Sequence, residues 1–185
     1  MGNSDLEMEA KFYVGDLEKL EDRLRALGAR EVQPRTHEIN LRFDTAEKEL
    51  GAKRQVLRLR KDRKAWLTFK GPAQPGQEVG VRQEIEFEVS SFEDAISFLT
   101  ALGYQVFMVY EKYRRVYQLG EVLVMLDELP YGLFVEIEGP DADVIHKAAG
   151  LLNLNWEARC AISYLDLFYR LKNNLAAATD YFKMA

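Results

Sequence analysis

Charged residues recur at every second position through several apolar-rich segments of the chain. Glu7, Glu9 and Lys11 alternate with Leu6, Met8, Ala10 and Phe12. Arg58 and Arg60 alternate with Leu57 and Leu59, and Thr68 and Lys70 with Leu67 and Phe69. Arg82, Glu84, Glu86 and Glu88 oppose Val81, Ile85, Phe87 and Val89; Lys112 and Arg114 share a face; Glu136 and Glu138 oppose Val135 and Ile137. Asp127 ends a further such segment. A period of two places each charged set on one face of a strand. The carboxylates can hold a hard divalent cation, since Mg2+ and Mn2+ take oxygen ligands. The basic set can hold an oligophosphate, arginine through paired hydrogen bonds and lysine as a point charge. Metal and basic clamp together are the recurring parts of phosphoryl or nucleotidyl transfer.

Eight strands carry these residues: Leu6–Val14, Val32–Phe43, Gln55–Lys61, Ala65–Lys70, Val81–Val89, Gln105–Leu119, Glu121–Asp127 and Phe134–Glu138. Four segments have helical period: Asp16–Leu27, Phe92–Leu102, Asp141–Leu152 and Ile162–Leu175. Gly28 and Gly103 stop the first two, and Ser91 is the N-cap of the second. The pair DLEKLEDRLRALGA and SFEDAISFLTALGY hints at a duplicated strand–helix–strand unit. Exposed strand faces favour threonine, serine and lysine, whereas these are rich in glutamate, which has low strand propensity. Four amphipathic helices must also bury their stripes, and the apolar strand faces are the obvious partner. The charged faces are then left pointing at one another. The expected fold is α+β: an eight-stranded antiparallel β-barrel with a charged lumen and helices packed outside. Residues 1–175 are expected to form one domain, and 176–185 a flexible C-terminal tail.

The composition bounds the alternatives. The chain has 185 residues, 48% of them apolar, which excludes a disordered chain. No apolar run approaches the ~18 residues of a membrane span. The N-terminus MGNSDLEMEAKF lacks a basic region followed by an apolar block, so a cytoplasmic location is expected. A single cysteine and two histidines exclude a metal site built mainly of sulfur or imidazole. Gly71–Gly80 has no phosphate-cradling GxxxxGK pattern. The net charge of −5 argues against nucleic acid, and the basic run Lys53–Lys64 reads as a strand pair around a solvated turn. The net figure hides a balance: with Glu88, at the end of its strand, left aside, seven acids and seven bases fall on the charged faces, leaving 23 acids and 18 bases outside. A divalent ion would tip such a lumen positive for a polyanion.

At these residues the sequence resembles the CYTH family, the triphosphate tunnel metalloenzymes. Glu7-Met8-Glu9-Ala10-Lys11 matches its ExExK motif, Phe43-Asp44-Thr45 its FDT segment and Leu57-Arg58-Leu59-Arg60 its LRxR strand. Thr68-Phe69-Lys70-Gly71 matches TxKG, Arg82-Gln83-Glu84-Ile85-Glu86 matches RxExE, and Lys112-Tyr113-Arg114 resembles KxR. Asp127, Gly132 and Glu136-Ile137-Glu138 match the closing D…G…ExE, and Ser163-Tyr164-Leu165-Asp166-Leu167 resembles SYxxL. The ordered set spans about residues 5–170. The resemblance implies a tunnel that binds triphosphate with Mg2+ or Mn2+. It implies Glu7, Glu9, Asp127, Glu136 and Glu138 as metal ligands, and Lys11, Arg58, Arg60, Lys70, Arg82 and Arg114 as phosphate ligands. Glu84, Glu86 and Lys112 are either ligands, Glu86 of metal and Lys112 of phosphate, or groups that orient others. Two positions depart from the pattern. Arg42 stands where the family often has a tyrosine, which places that tyrosine's role in water activation in doubt here; Lys11 is a candidate base or orienting group, acting with Glu7 and Glu9. Ile162 stands where lysine often precedes SY.

The reading is a metal-dependent hydrolase of tripolyphosphate or of a small organic triphosphate, such as thiamine triphosphate or a nucleoside triphosphate. The alternative is a class IV adenylate cyclase that converts ATP to cyclic AMP and pyrophosphate. Cyclase members often carry His-Phe upstream of ExExK, and this chain has Ser4-Asp5 there. A non-catalytic polyphosphate or nucleotide binder would need fewer carboxylates. A homodimer is compatible with the sequence, without a heptad seam to support it. Trp66, Trp156 and Cys160 read as packing residues, and His37 and His146 as surface residues. Tyr110, Tyr113, Tyr117 and Tyr131 are candidates for stacking on a base near the tunnel mouth.

Overall fold

The computed structural model describes residues 6–160. The expected Ile162–Leu175 helix, the SYxxL segment, the C-terminal tail and Ser4-Asp5 lie outside the described residues. Eight antiparallel strands run in chain order: β1 (Leu6–Val14), β2 (Arg30–Asp44), β3 (Val56–Lys61), β4 (Ala65–Lys70), β5 (Gly80–Val89), β6 (Gln105–Leu119), β7 (Val122–Leu129) and β8 (Gly132–Glu138). Their order around the sheet is β1-β5-β4-β3-β2-β6-β7-β8, and β8 returns to pair with β1, so the barrel closes. Closure leaves two faces, one to the lumen and one to the helices. That is what strict apolar–charged alternation demands.

The helices are α1 (Leu17–Ala26), α2 (Glu49–Ala52), α3 (Phe92–Ala101) and α4 (Ala142–Leu151). Asp16 caps α1 by accepting from the backbone amides of Glu18 and Lys19 at 3.0 and 3.2 Å. Ser91 Oγ accepts from Asp94 N at 3.1 Å to start α3. Gly28 and Gly103 follow these two helices with φ of 76° and 92°, a left-handed turn that glycine adopts without strain. The short α2, four residues long, lacks the length for a readable period. Its amides of Leu50 and Gly51, with that of Thr45, donate to the buried Asp44 carboxylate at 2.8–2.9 Å.

Two apolar cores lie outside the barrel. In the larger, Leu20 and Leu24 of α1 and Ile145, Ala148 and Ala149 of α4 pack on Ala10, Phe12, Val124, Leu126, Val135 and Ile137. In the smaller, Ala95 and Leu99 of α3 pack on Leu41, Phe43 and Leu59. The duplication hinted by the two helix sequences is present in the topology. Replacing β1–β4 by β5–β8 reproduces every strand pairing, and α1 and α3 occupy matching places. Among the described residues no helix is long and apolar enough to cross a membrane.

Candidate active site

The lumen is a cavity of about 1520 Å3. Glu7, Glu9, Lys11, Arg58, Arg60, Lys70, Arg82, Glu84, Glu86, Lys112, Arg114, Glu136 and Glu138 all line it. Asp127 is fully buried beside them, bonded to Arg114. Every residue singled out for the site is therefore brought into one tunnel. The two halves differ in sign: β3 and β4 supply Arg58, Arg60 and Lys70, whereas β7 and β8 supply Asp127, Glu136 and Glu138.

The charges are paired in chains. Glu7 binds Lys70 Nζ at 2.6 Å and Arg82 Nε at 2.8 Å, and Arg82 reaches on to Glu9 at 3.1 Å. Lys70 also binds Glu84 at 2.9 Å. Glu86 joins Arg58 and Arg60, each at 3.2 Å, and accepts from Thr68 Oγ1 at 2.6 Å. On the other wall Arg114 donates twice to Asp127, at 2.6 and 2.5 Å, and also binds Glu136. Lys112 binds Asp127 at 3.0 Å, and Lys11 binds Glu136 at 2.9 Å. Unpaired charges at this depth would be costly, so the network is a condition of folding.

The titration of these groups follows from their partners. Burial pushes the Glu7 carboxyl up, but Lys70 and Arg82 outweigh it and hold it at about 2. Burial, together with Glu7, pushes Glu84 up to about 7 against the pull of Lys70. Burial and the neighbouring Glu7 and Glu9 also raise Glu138. Lys11 is raised although burial opposes its charge, because Glu136 and Glu9 stabilise the ammonium. Tyr110 is lowered against its burial by Arg58, Lys112 and Arg42.

Glu7, Glu9, Glu84 and Glu138 thus crowd one region, where the Glu7 charge disfavours ionisation of Glu84, and Glu7 and Glu9 that of Glu138. A hard divalent cation relieves this repulsion, and the donors are all oxygen, so the residues fit such an ion in kind. Among the described residues no three of them already stand in ligand geometry. The bases hold them instead.

Two lumen residues, Glu38 and Asn40, went unread in the sequence, and Arg42 entered only as the residue at the family's tyrosine position. Glu38, Asn40 and Arg42 share the inward face of β2, and cross-strand register sets them beside Lys112, Tyr110 and Met108 of β6. Glu38, with no exposure at all, binds Arg60 at 3.3 Å and lies 3.7 Å from Lys112. The alternation Glu38-Ile39-Asn40-Leu41-Arg42-Phe43 carried the signal. Glu38 and Arg42 add one charge of each sign, so the balance holds.

Other expectations are corrected. Of the four tyrosines, Tyr113 and Tyr117 point outward. Tyr113 packs under Arg35, whose guanidinium sits 3.5 Å from the ring centre, and Tyr117 donates to Glu21 of α1 at 2.7 Å. Trp66 lies across from Arg60 in the β3–β4 register, with the guanidinium 5.7 Å from its ring centre, so it meets a lumen residue as well as packing. Trp156 packs on Phe12 and stacks with His146 at 4.3 Å. Cys160 is half-buried beside the cavity, and its amide donates to Lys11 O at 2.7 Å, which ties the end of the described chain to β1.

The model of the CYTH domain matches residues 5–161. No curated protein matches the sequence. Among solved structures, a candidate adenylate cyclase from Vibrio parahaemolyticus superposes with a TM-score of 0.81 at 20% identity, covering 89% of this chain and 98% of that one. The PH1012 protein of Pyrococcus horikoshii has a TM-score of 0.73 at 27% identity, over 87% of this chain and 98% of that one. A candidate adenylyl cyclase from Hippeastrum, described as having a dominant triphosphatase activity, has a TM-score of 0.64 at 19% identity, over 89% and 95%.

Proposed function

This chain belongs to the CYTH family, and from that premise we propose that it is a divalent-metal-dependent triphosphatase acting on a triphosphate held inside the tunnel. The observation that carries the reading is one cavity lined by Arg58, Arg60, Lys70, Arg82, Lys112 and Arg114 together with oxygen-only acids. Six cations around one axis suit a chain of phosphates. The lumen strengthens each contact over its value in water.

Arg58 and Arg60 share Glu86, and Arg114 shares Asp127 and Glu136. These arginines are therefore held in place before substrate arrives, so less ordering is needed when phosphate replaces a carboxylate partner. Lys11 stays an ammonium, so its role is to orient a phosphate or carry charge, not to take a proton. Glu7, Glu9 and Glu138, with Glu86, Asp127 and Glu136 on the neighbouring walls, would hold Mg2+ or Mn2+. Such an ion supplies charge neutralisation of the phosphate oxygens and lowers the pKa of bound water. Ser4-Asp5, in place of the His-Phe of many cyclase members, favours the hydrolase over the cyclase.

The test is to incubate the protein with Mg2+ or Mn2+ and tripolyphosphate, thiamine triphosphate, ATP or GTP, and to resolve the products. Metal-dependent orthophosphate release is the expected result. Cyclic AMP with pyrophosphate would overturn it in favour of the cyclase, and binding without turnover would leave only a binder.

A further inference from the structure

The two halves of the barrel share a strand order and differ in what covers them. Their units align residue by residue: Asp16 with Ser91 as helix caps, Gly28 with Gly103 as left-handed stops, and Ala10 and Phe12 of β1 with Ile85 and Phe87 of β5. α4 follows β8 and lies over β8, β1 and β7. Beneath it Ala10 and Phe12 are 4% and 2% exposed, and their cross-strand partners Ile137 and Val135 are fully buried. In the other half, residues 71–79 join β4 to β5 with no helix between them. Ile85 and Phe87 are 43% and 52% exposed there, and their partners Phe69 and Leu67 are only partly buried. The place that α4 fills on one half has no counterpart helix on the other among the described residues.

The helix α3 walls this open slot. In α1 the residue that matches Phe98 is Arg23, whose Nε donates to Leu151 O of α4, so that helix position faces the covering helix. Leu27, which matches Leu102, packs against the larger core. On α3 the same two positions are apolar and open: Phe98 is 62% and Leu102 59% exposed. A recess of Phe69, Ile85 and Phe87 therefore lies beside a ridge of Phe98 and Leu102. The rest of the chain departs from another side. Cys160 lines the cavity and its amide donates to Lys11 O, so the described residues end at the lumen and not at this outer face.

We propose that the slot is the interface of a homodimer, in which α3 of each copy seats its ridge in the β4–β5 recess of the other. Ridge and recess side by side make a self-complementary surface: under a two-fold axis Phe98 meets Phe87 of the second copy, and Phe87 meets its Phe98. The area suits this. Phe87, Phe98, Ile85 and Leu102 together leave about 400 Å2 of apolar surface open, at the size that marks an interaction site. Each partner in a stable complex gives about 800 Å2, a little over half of it apolar, so the patch supplies the apolar core of such an interface. The interface is independent of the triphosphatase reading, because Ile85 and Phe87 alternate with the lumen-lining Glu84 and Glu86 and point away from the tunnel.

The test is sedimentation velocity on the full chain, for the wild type, for Phe87→Lys, for Phe98→Glu and for an equimolar mixture of the two variants. The wild type is expected to dimerise with a Kd of about 10 µM or tighter. Each variant buries a charge against a phenyl ring and is expected to weaken the dimer about thirtyfold or more. The mixture is expected to recover a dimer, because lysine then meets glutamate at one of the two equivalent contacts. Both positions are exposed in the single chain, so circular dichroism of each variant should match the wild type. A photo-crosslinker placed at Phe87 is expected to join α3 of a second copy. A wild type that stays monomeric at about 100 µM would overturn the interface. So would a dimer that neither variant weakens, a mixture that recovers nothing, or a crosslink from Phe87 to residues 161–185 of its own chain, which would assign the slot to that segment.

Discussion

Arg58 and Arg60 illustrate what the tunnel asks of a single residue. Each guanidinium is almost wholly enclosed, sits 3.2 Å from Glu86, and depends on that carboxylate for its charge to be tolerated. A phosphate can take the place of the carboxylate, so Arg58→Ala or Arg60→Ala should weaken triphosphate binding. Charge-assisted hydrogen bonds are worth about 1.5–3 kcal/mol, or roughly ten- to a hundredfold in KM. Steady-state kinetics separates the cases: KM rising with kcat nearly unchanged is expected. A fall in kcat alone would mean contacts made only in the transition state. The alternation of Leu57-Arg58-Leu59-Arg60 made these two residues readable in the sequence. Glu38 and Asn40 obeyed the same rule and were passed over, because one sits beside a histidine and the other is a neutral amide. Neither resembles a phosphate or metal ligand alone. Their burial shows only when β3 and β6 close over β2 from both sides.

At the scale of elements, the strands were legible because a two-sided wall allows no slip. A one-residue shift would turn Glu7, Glu9 and Lys11 into the helix-packed core and Ala10 and Phe12 into the lumen. The ends of β2 and β7 were less so: β6 pairs with β2 out to Arg30 and Asp44, and the β7–β8 hairpin carries pairing two residues past Asp127. Leu129 pairs with Gly132 in this way. The exterior helices hold the ring closed by apolar contact. Leu24 of α1 has no exposure and packs in the larger core. Leu24→Ala should cost about 2–5 kcal/mol, measured by chemical denaturation. A cost under about 1 kcal/mol would mean that α1 is dispensable to the barrel. The duplicated topology has a further consequence. Equivalent strands of the two halves diverge in charge, β3 and β4 becoming basic and β7 and β8 acidic. Such divergence masks the repeat in the sequence everywhere except in the helices.

For the molecule as a whole, a net charge of −5 coexists with a lumen that is balanced acid for base. Lys11, Arg58, Arg60, Lys70, Arg82, Lys112 and Arg114 each have a carboxylate partner, so a polyanion must compete with the protein's own acids. A divalent ion held by Glu7 and Glu9 would release Lys70 and Arg82 for phosphate, and ion and substrate would then bind cooperatively. What the sequence could not express is this state of mutual occupation. Charge counts show equality, and only the closed ring shows who pairs with whom. The central claim is therefore that the β1 carboxylates serve the metal, and the basic ring serves the triphosphate. The Glu7→Gln plus Glu9→Gln double variant tests it most directly, with metal-dependent orthophosphate release and imidotriphosphate binding measured on the same preparation. Release is expected to vanish while the triphosphate analogue still binds; release at the wild-type rate would contradict the assignment.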